Sequence, residues 1–111
     1  MFYEKPAKVH SYKPDFVLPN GIIVEVKGYL DLEGRKKYGI LKTVKPDLDI
    51  RFLFDNPKQP IRKGSKVTIA DWADNNGFKW AKKTIPAEWF EEPKNANSIR
   101  ALYRGKDKDN A

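Results

Sequence analysis

A tight-turn sequence, Pro19-Asn20-Gly21, lies between two short apolar segments and restricts the fold of this chain more than any other feature. The segment before the turn is YKPDFVL (residues 12–18), and the segment after it is IIVEVK (residues 22–27). Asn and Gly accept the positive φ that tight hairpin turns need. The sequence therefore predicts an antiparallel hairpin, and Pro14 places the first strand at a sheet edge or at the strand start.

One helix and one interior strand are predicted after the hairpin. Residues 32–44 have a helical pattern in which the apolar side chains share a face, and Pro46 ends it; these side chains are Leu32, Ile40, Leu41 and Val44. Residues 48–54 (LDIRFLF) alternate and then become continuously apolar, as in an interior strand. A crossover from the second strand through this helix to the third strand would be parallel and right-handed.

The second half of the chain predicts two further helical segments and a last strand. Residues 68–71 (TIAD) form a capping box, which begins a helix that buries Ile69, Trp72 and Ala73 and ends at Asn76-Gly77. Residues 78–82 are predicted as a strand or extended segment. Residues 85–90 are predicted as a turn or short helix that packs Trp89 and Phe90 on the core.

The element order β-β-α-β-α-β predicts an α/β domain, with a small mixed β-sheet flanked by helices. A chain of 111 residues suits one domain with one modest core. We divide it into an N-terminal arm (1–11), a core domain (12–94) and a polar, basic tail (95–111) that is partly disordered.

The composition excludes several kinds of chemistry. Cysteine is absent, which excludes disulfides, thiolate metal sites and cysteine nucleophiles, and a single histidine is too few for a typical catalytic zinc site. No apolar run approaches the roughly 20 residues that span a bilayer. We therefore expect a cytoplasmic protein without a membrane partner, whose catalysis would rest on carboxylates, lysines and an oxygen-bound metal. The net charge of +7 favours a polyanionic partner such as DNA.

Two carboxylates and one lysine fall on the predicted hairpin: Asp15 in the first strand, and Glu25 and Lys27 in the second. Glu25 and Lys27 are two residues apart, so an extended chain directs both to one face, while Val24 and Val26 point into apolar packing on the other. Asp15 and Glu25 are nearly equidistant from the turn and should face each other to within one residue of register. The hairpin would thus gather the three side chains at a sheet surface.

Two interpretations of this trio are open. A cross-strand ion pair on a solvated hairpin would contribute only about 0–1 kcal/mol. Alternatively, the two carboxylates bind Mg²⁺, which takes oxygen ligands and activates water for phosphodiester hydrolysis. The lysine would then act electrostatically, because neighbouring carboxylates favour its charged form. Glu25 and Lys27 interrupt an otherwise apolar strand, which favours the metal site.

The sequence around these residues resembles that of a known family. Pro14-Asp15, followed after nine residues by Glu25-Val26-Lys27, matches the PD-(D/E)xK nuclease motif. The surrounding segments are more specific, and together they resemble phage endonuclease I, the Holliday-junction resolvases of the T-odd phages: YKPDFVLPNGIIVEVKG (12–28), RKK (35–37), DLDIRFLF (47–54), the Lys63-Gly64-Ser65 loop and IPAEWFEEPK (85–94).

This resemblance implies a restriction-endonuclease-like core and cleavage of branched DNA, such as four-way junctions, with Mg²⁺ or Mn²⁺. It implies that Asp15, Glu25 and the backbone carbonyl of Val26 are metal ligands, and that Lys27 is the catalytic lysine. Family members also have an N-terminal helix with a further active-site glutamate, and they form intertwined dimers. Here only a short arm precedes residue 12, and Glu4 is one candidate for this glutamate. Otherwise the glutamate is missing, lies on a separate N-terminal piece, or comes from a partner chain, and we expect a homodimer or such a partner chain.

Two basic clusters are candidate DNA contacts. Arg35, Lys36 and Lys37 open the first predicted helix, where positive side chains are unfavourable unless a polyanion approaches. The loop after the third strand carries the second cluster, which consists of Lys58, Arg62, Lys63 and Lys66. Such residues would hold phosphates without reading sequence. His10 is a further candidate for phosphate or the metal shell.

These features predict a metal-dependent endonuclease of the resolvase type in the cytoplasm of an infected or prophage-bearing bacterial cell. Two alternatives stay open at this point. One is a nicking or homing-type DNA endonuclease on the same scaffold, which would cut linear duplex as well as a junction. The other is a non-catalytic DNA-junction-binding module, which would bind junctions but release no product with Mg²⁺ or Mn²⁺.

Overall fold

Four strands form one mixed sheet in the order β1-β2-β3-β4. The computed structural model describes residues 13–102. The strands are β1 (Phe16–Val17), β2 (Ile22–Lys27), β3 (Asp49–Phe54) and β4 (Lys79–Lys82). β1 is antiparallel to β2, whereas β2–β3 and β3–β4 are parallel pairs. The predicted α/β class and the parallel crossover between β2 and β3 are confirmed.

The helices follow the predicted order. They are α1 (Leu32–Val44), α2 (Ile69–Asn75) and α3 (Ala87–Glu91), and residues 96–102 are also helical. The N-cap side chain of α1 accepts a hydrogen bond from the Gly34 amide, and Thr68 and Asp71 form the predicted capping box of α2. No helix within residues 13–102 is long and apolar enough to cross a membrane.

The first strand is shorter than predicted. Of the expected strand at residues 12–18, only Phe16 and Val17 pair with β2, and residue 12 lies outside the described part of the chain. Pro14 explains the early end of the pairing, because a proline has no N–H to donate to the ladder.

The apolar face predicted for α1 is right only at Leu41, which is buried. Leu32, Ile40 and Val44 are exposed, and the helix buries Tyr38 beside Leu41. The interpretation counted aliphatic residues alone, whereas the side that packs on the sheet contains a tyrosine. This rotation of the helix directs Tyr38 toward the Glu25 carboxylate of β2.

Apolar clusters cover both faces of the sheet. On one face, α1 and α2 pack against alternate residues of the central strands, and the cluster includes Ile23, Tyr38, Phe52, Phe54 and Ile69. Trp72 is partly buried at its border.

On the opposite face, Trp89 of α3 packs with Leu18, Ile22, Val24 and Leu53. The prediction that Phe90 packs beside Trp89 is wrong: its side chain is 54% exposed. In a helix of five residues, two successive side chains diverge by about 100°, so only one of them reaches the sheet.

The turn between β1 and β2 is buried rather than exposed. The Leu18 carbonyl accepts from the Gly21 amide at 2.9 Å, and the Leu18 amide donates to the Ile22 carbonyl at 2.8 Å, as in a three-residue hairpin loop. Among the three residues of this loop, only Gly21 has a positive φ, +92°. Asn20 contributes through its side chain instead, which donates to the backbone carbonyls of Trp89 and Glu92 at 2.7 and 3.1 Å.

The chain that follows α3 holds this turn in place. The Asn95 amide donates to the Asn20 carbonyl at 2.7 Å, and the buried Ser98 hydroxyl donates to the Gly21 carbonyl at 2.7 Å. The same hydroxyl accepts from the Asp49 amide at 3.1 Å. The division between core and tail at residue 94 stays a prediction, and these contacts attach residues 95–98 to the core.

A buried arginine adds ion pairs to the same region. Arg51 of β3 forms ion pairs with Asp49 at 3.0 Å and with Glu92 at 2.7 Å, and its guanidinium lies 5.2 Å from the centre of the Trp89 ring. The hydrogen bonds from Arg51 lower the pKa of the Glu92 carboxyl. This end of the sheet is therefore tied by charge as well as by backbone hydrogen bonds.

Candidate active site

The two carboxylates of the hairpin lie at its open end, opposite the turn. The register of β1 and β2 pairs Phe16 with Val24, so its continuation pairs Asp15 with Glu25. The Asp15 amide donates to Glu25 Oε2 at 3.3 Å, and the Val26 amide donates to Asp15 Oδ2 at 3.0 Å. The structure thus brings the two predicted carboxylates together and fastens each to the opposite strand.

Pro14 gives this arrangement a physical reason. Continuing the same register pairs Pro14 with Val26, and proline offers no amide hydrogen. The missing N–H leaves the Val26 carbonyl without its ladder donor, and the Val26 amide donates to the carboxylate of Asp15. In an extended strand the N–H and C=O of one residue point to the same edge, so the Val26 carbonyl also faces this edge, where Pro14 has no N–H to donate. Two carboxylates and one carbonyl oxygen therefore share the open end.

Glu25 is buried, not on an open surface. Its side chain is 2% exposed and lies on the face of the sheet that α1 covers. The Tyr38 hydroxyl donates to Glu25 Oε1 at 2.7 Å. Burial, the hydrogen bond to Glu25 and the nearby negative charges raise the pKa of Tyr38 well above its usual value, so the phenol stays protonated and donates.

The amino groups of two lysines lie near Tyr38. Lys27, the last residue of β2, places its Nζ 5.5 Å from the centre of the Tyr38 ring, and Lys37 of α1 places its Nζ 5.4 Å from the same point. The expectation that Val26 points into apolar packing is wrong, because its side chain is 48% exposed. The sheet face opposite Glu25 and Lys27 is therefore uncovered at this point of the strand, and Lys27 itself is partly buried.

The donor set fits a hard divalent cation. Mg²⁺ prefers oxygen ligands, keeps several waters and is commonly held by one or two carboxylates together with substrate phosphates. Asp15, Glu25 and the Val26 carbonyl supply oxygen donors of this kind. Within residues 13–102, no group of three or more Asp, Glu, His or Cys side chains could hold a metal ion. Glu4 and His10, the other candidates, lie outside the described residues and stay predictions.

The basic side chains at the start of α1 lie in different surroundings. Lys37 is next to Tyr38, whereas Lys36 lines a shallow groove on the outer side of the helix with Gly39, Ile40 and Val44. Arg35 bonds back to the Asp31 carbonyl at 3.4 Å. Among these three predicted DNA contacts, Lys37 lies beside the tyrosine that donates to Glu25.

The second basic cluster is anchored close to the end of β2. The Tyr29 hydroxyl donates to the carbonyl of Ile61, in the loop that carries Arg62, Lys63 and Lys66. Tyr29 follows Lys27 by two residues, so the bond ties this exposed basic loop to the strand end that bears the site. The predicted DNA contacts in the loop remain predictions.

Sequence reasoning missed both tyrosines. Tyr38 lies three residues before the buried Leu41, a helical spacing that includes it in the buried face once aromatic residues are counted. Tyr29 follows directly on Gly28 and carried no periodic signal. The hydrogen bond of its hydroxyl depends on the folded position of the loop at residues 55–68, which the local sequence does not indicate.

Comparisons with known proteins agree with the sequence resemblance. The family model described as phage endonuclease I matches residues 1–109. Endonuclease I of Escherichia phage T7 is 45% identical over 102 residues, which cover 92% of this chain and 68% of the phage protein. Endodeoxyribonuclease 1 of Enterobacteria phage T3 is 40% identical over 92 residues, which cover 83% of this chain and 60% of that protein. The chain thus spans about two thirds or less of the relatives it matches.

Proposed function

The chain belongs to the phage endonuclease I family, and on that premise we propose that it is a metal-dependent endonuclease that hydrolyses phosphodiester bonds in branched DNA, such as four-way junctions. One observation supports this proposal more than any other. Asp15 and Glu25 are held together at the open end of the hairpin, next to the lysine that completes the PD-(D/E)xK motif. A solvated ion pair does not require a carboxylate as deeply buried as Glu25.

Asp15, Glu25 and the Val26 carbonyl would hold Mg²⁺ or Mn²⁺. The bound cation would lower the pKa of a coordinated water and offset the negative charge that develops on the phosphate. The protein's part is to keep the oxygen donors in place. The Val26 amide restrains Asp15, and the Tyr38 hydroxyl restrains Glu25, so neither carboxylate needs to reorganise when the ion arrives.

Lys27 would contact the scissile phosphate. Lys27 ends β2 two residues after Glu25, on the same face of the strand, and its ammonium lies 5.5 Å from the centre of the Tyr38 ring. A positive charge at this position stabilises the developing anion and orients the attacking water. This contribution is the electrostatic one of a positive charge held near the phosphate.

The positive charge of the protein would hold the duplex arms. A net charge of +7 favours binding to a polyanion, and the basic loop is tied to the strand end by Tyr29. Lys and Arg contacts to phosphate carry little sequence information, which suits an enzyme that selects the shape of a junction rather than its base order. Arg62, Lys63 and Lys66 are the proposed contacts in this loop.

A homodimer is part of the proposal. A four-way junction needs two symmetric cuts, and two sites related by a twofold axis meet this requirement. A further carboxylate for the metal would come from residues 1–12, where Glu4 is the candidate, or from a partner chain. Light scattering after gel filtration, with and without a junction, measures the assembly.

The deciding experiment compares a labelled four-way junction with a linear duplex of matched sequence. We expect cleavage of the junction with Mg²⁺ or Mn²⁺, much slower cleavage of the linear duplex, and none with EDTA. Lys27→Ala should bind the junction but cut it at a greatly reduced rate. Lys36→Ala, on the outer side of α1, is the matched control for removal of a lysine, and it should retain most cleavage.

Each alternative function has its own outcome in this experiment. Equal cleavage of duplex and junction would favour a nicking or homing-type enzyme and would contradict junction selectivity. Tight, salt-sensitive junction binding without cleavage in either metal would indicate a non-catalytic binding module. Cleavage that persists in EDTA would contradict the role of the metal.

A further inference from the structure

We propose that Tyr38 is a positioning residue for the metal site: its hydroxyl fixes the Glu25 carboxylate in the orientation that binds the ion. This inference rests on the proposed function, and it adds a residue outside the PD-(D/E)xK motif to the site. The supporting contact is the hydrogen bond from the Tyr38 hydroxyl to Glu25 Oε1, 2.7 Å long and buried. Groups that orient a metal ligand matter almost as much as the ligand itself.

The ring that carries this hydroxyl is itself immobilised. Tyr38 is 0% exposed, and its ring packs edge-on against Phe52 with a centroid distance of 4.9 Å and an interplanar angle of 88°. A phenol has only two side-chain torsions, and this packing fixes both. The oxygen therefore lies at a defined point beneath Glu25, and the hydrogen bond transmits that position to the carboxylate.

The two carboxylate oxygens of Glu25 accept hydrogen bonds from different donors. Oε1 accepts from Tyr38, while Oε2 accepts from the Asp15 amide at 3.3 Å and so faces the backbone of the opposite strand at Asp15. Rotation of the carboxylate away from Asp15 would break the shorter of these two bonds. Tyr38 thereby keeps Oε2 on the side where the cation would bind.

The same ring lies close to two ammonium groups. Lys27 and Lys37 each place Nζ about 5.5 Å from its centroid, within the distance at which a cation is attracted to an aromatic ring. Two substitutions at Tyr38 therefore separate the contribution of the hydroxyl from that of the ring. Tyr38→Phe removes the hydroxyl and keeps the ring, whereas Tyr38→Leu removes both.

The experiment measures Mn²⁺ binding to the full chain in the absence of DNA by calorimetry, together with the thermal unfolding temperature. We expect Tyr38→Phe to weaken Mn²⁺ binding by about 10–100-fold, the usual effect of losing a group that orients a ligand. Thr43→Val is the control, because it removes a hydroxyl of the same helix that donates to the Gly39 carbonyl on the exposed side. It should leave Mn²⁺ affinity unchanged.

A purely structural role for Tyr38 makes a different prediction. Tyr38→Phe would then lower the unfolding temperature and leave Mn²⁺ affinity at the wild-type value, which would overturn the inference. The same affinity for Tyr38→Phe and Tyr38→Leu, both below wild type, would assign the effect to the hydroxyl alone and support it. Failure of the wild-type protein to bind Mn²⁺ would instead refute the proposed function, so the two failures are distinguishable.

Discussion

The two ends of one short hairpin serve different purposes. At the turn, Asn20 and Gly21 are buried beneath residues 92–98 and bonded to them through backbone and side chain. At the open end, Asp15 and Val26 are exposed, and the Val26 amide donates to the Asp15 carboxylate rather than to a backbone carbonyl. The turn end carries stability, and the open end carries the proposed chemistry. The difference indicates that mutations at the two ends should separate folding from activity.

The largest expected effect is at the open end. Asp15→Asn keeps the shape of the side chain and an oxygen that can accept from the Val26 amide, but it removes the negative charge that, on the proposed function, binds the cation. We expect junction cleavage to fall by more than about 100-fold, because even groups that only orient a ligand contribute about 10–100-fold. Single-turnover cleavage with saturating Mg²⁺ measures this loss.

The control for this prediction is the stability of the same variant. Chemical denaturation of Asp15→Asn should give a free energy of unfolding close to that of the wild type. If Asp15→Asn unfolded easily and its remaining folded fraction cut DNA at the normal rate, the division of roles between the two ends would be wrong.

The next effect is at the turn. In Gly21→Ala, the new methyl group would lie 2.8 Å from Ile99 Cγ1 and 3.1 Å from the Asn95 carbonyl, at a φ of +92°. The backbone strain alone should lower the free energy of unfolding by about 1–3 kcal/mol, and the clash adds to it. Urea denaturation measures the loss. Cleavage per folded molecule should be unchanged, and a selective loss of cleavage would contradict the comparison.

A smaller loss of stability is expected for Ser98→Ala. The buried hydroxyl bridges the Gly21 carbonyl and the Asp49 amide, and its removal leaves both groups without this partner. We expect a decrease of about 1–2 kcal/mol in the free energy of unfolding. Arg100→Ala, two residues further along on the exposed side, is the matched control and should unfold like the wild type.

The smallest effect concerns pH. Arg51 lowers the pKa of Glu92 below its ordinary value of 4.5. A carboxyl whose pKa is lower in the folded state stabilises the fold above 4.5, and that contribution disappears as the pH falls through the folded-state value. The stability difference between wild type and Glu92→Gln should therefore be present near pH 7 and shrink below pH 4.5.

The exposed neighbour Glu91→Gln is the control for the pH series. Its difference from wild type should change less over the same range. A difference between wild type and Glu92→Gln that grew as the pH fell would have the wrong sign for this ion pair.

Local sequence patterns predicted the hairpin, the element order and the pairing of Asp15 with Glu25, because these depend on turn chemistry and on the two-residue period of strands. They did not predict that the turn is buried. The residues that cover it, such as Ser98, lie 77 positions away, and no local period records a contact at that distance.

The orientation of α1 was missed for a different reason. Tyr38 is buried because its hydroxyl has a partner in Glu25, and a tally of aliphatic residues does not include a polar aromatic of this kind. The burial of Glu25 follows from the same contact. In this protein the Glu25 carboxylate of the candidate site and the helix that covers it determine each other's position, and neither could be derived alone.

The bond between Ser98 and Gly21 also bears on biosynthesis. A ribosome makes the hairpin early, but the hydroxyl that secures its turn is synthesised 77 residues later. Contacts that join distant parts of a chain slow folding, because the intervening loop must first close. The nascent hairpin therefore stays unlocked until residue 98 has left the exit tunnel, and a chain arrested before that residue lacks the turn contact.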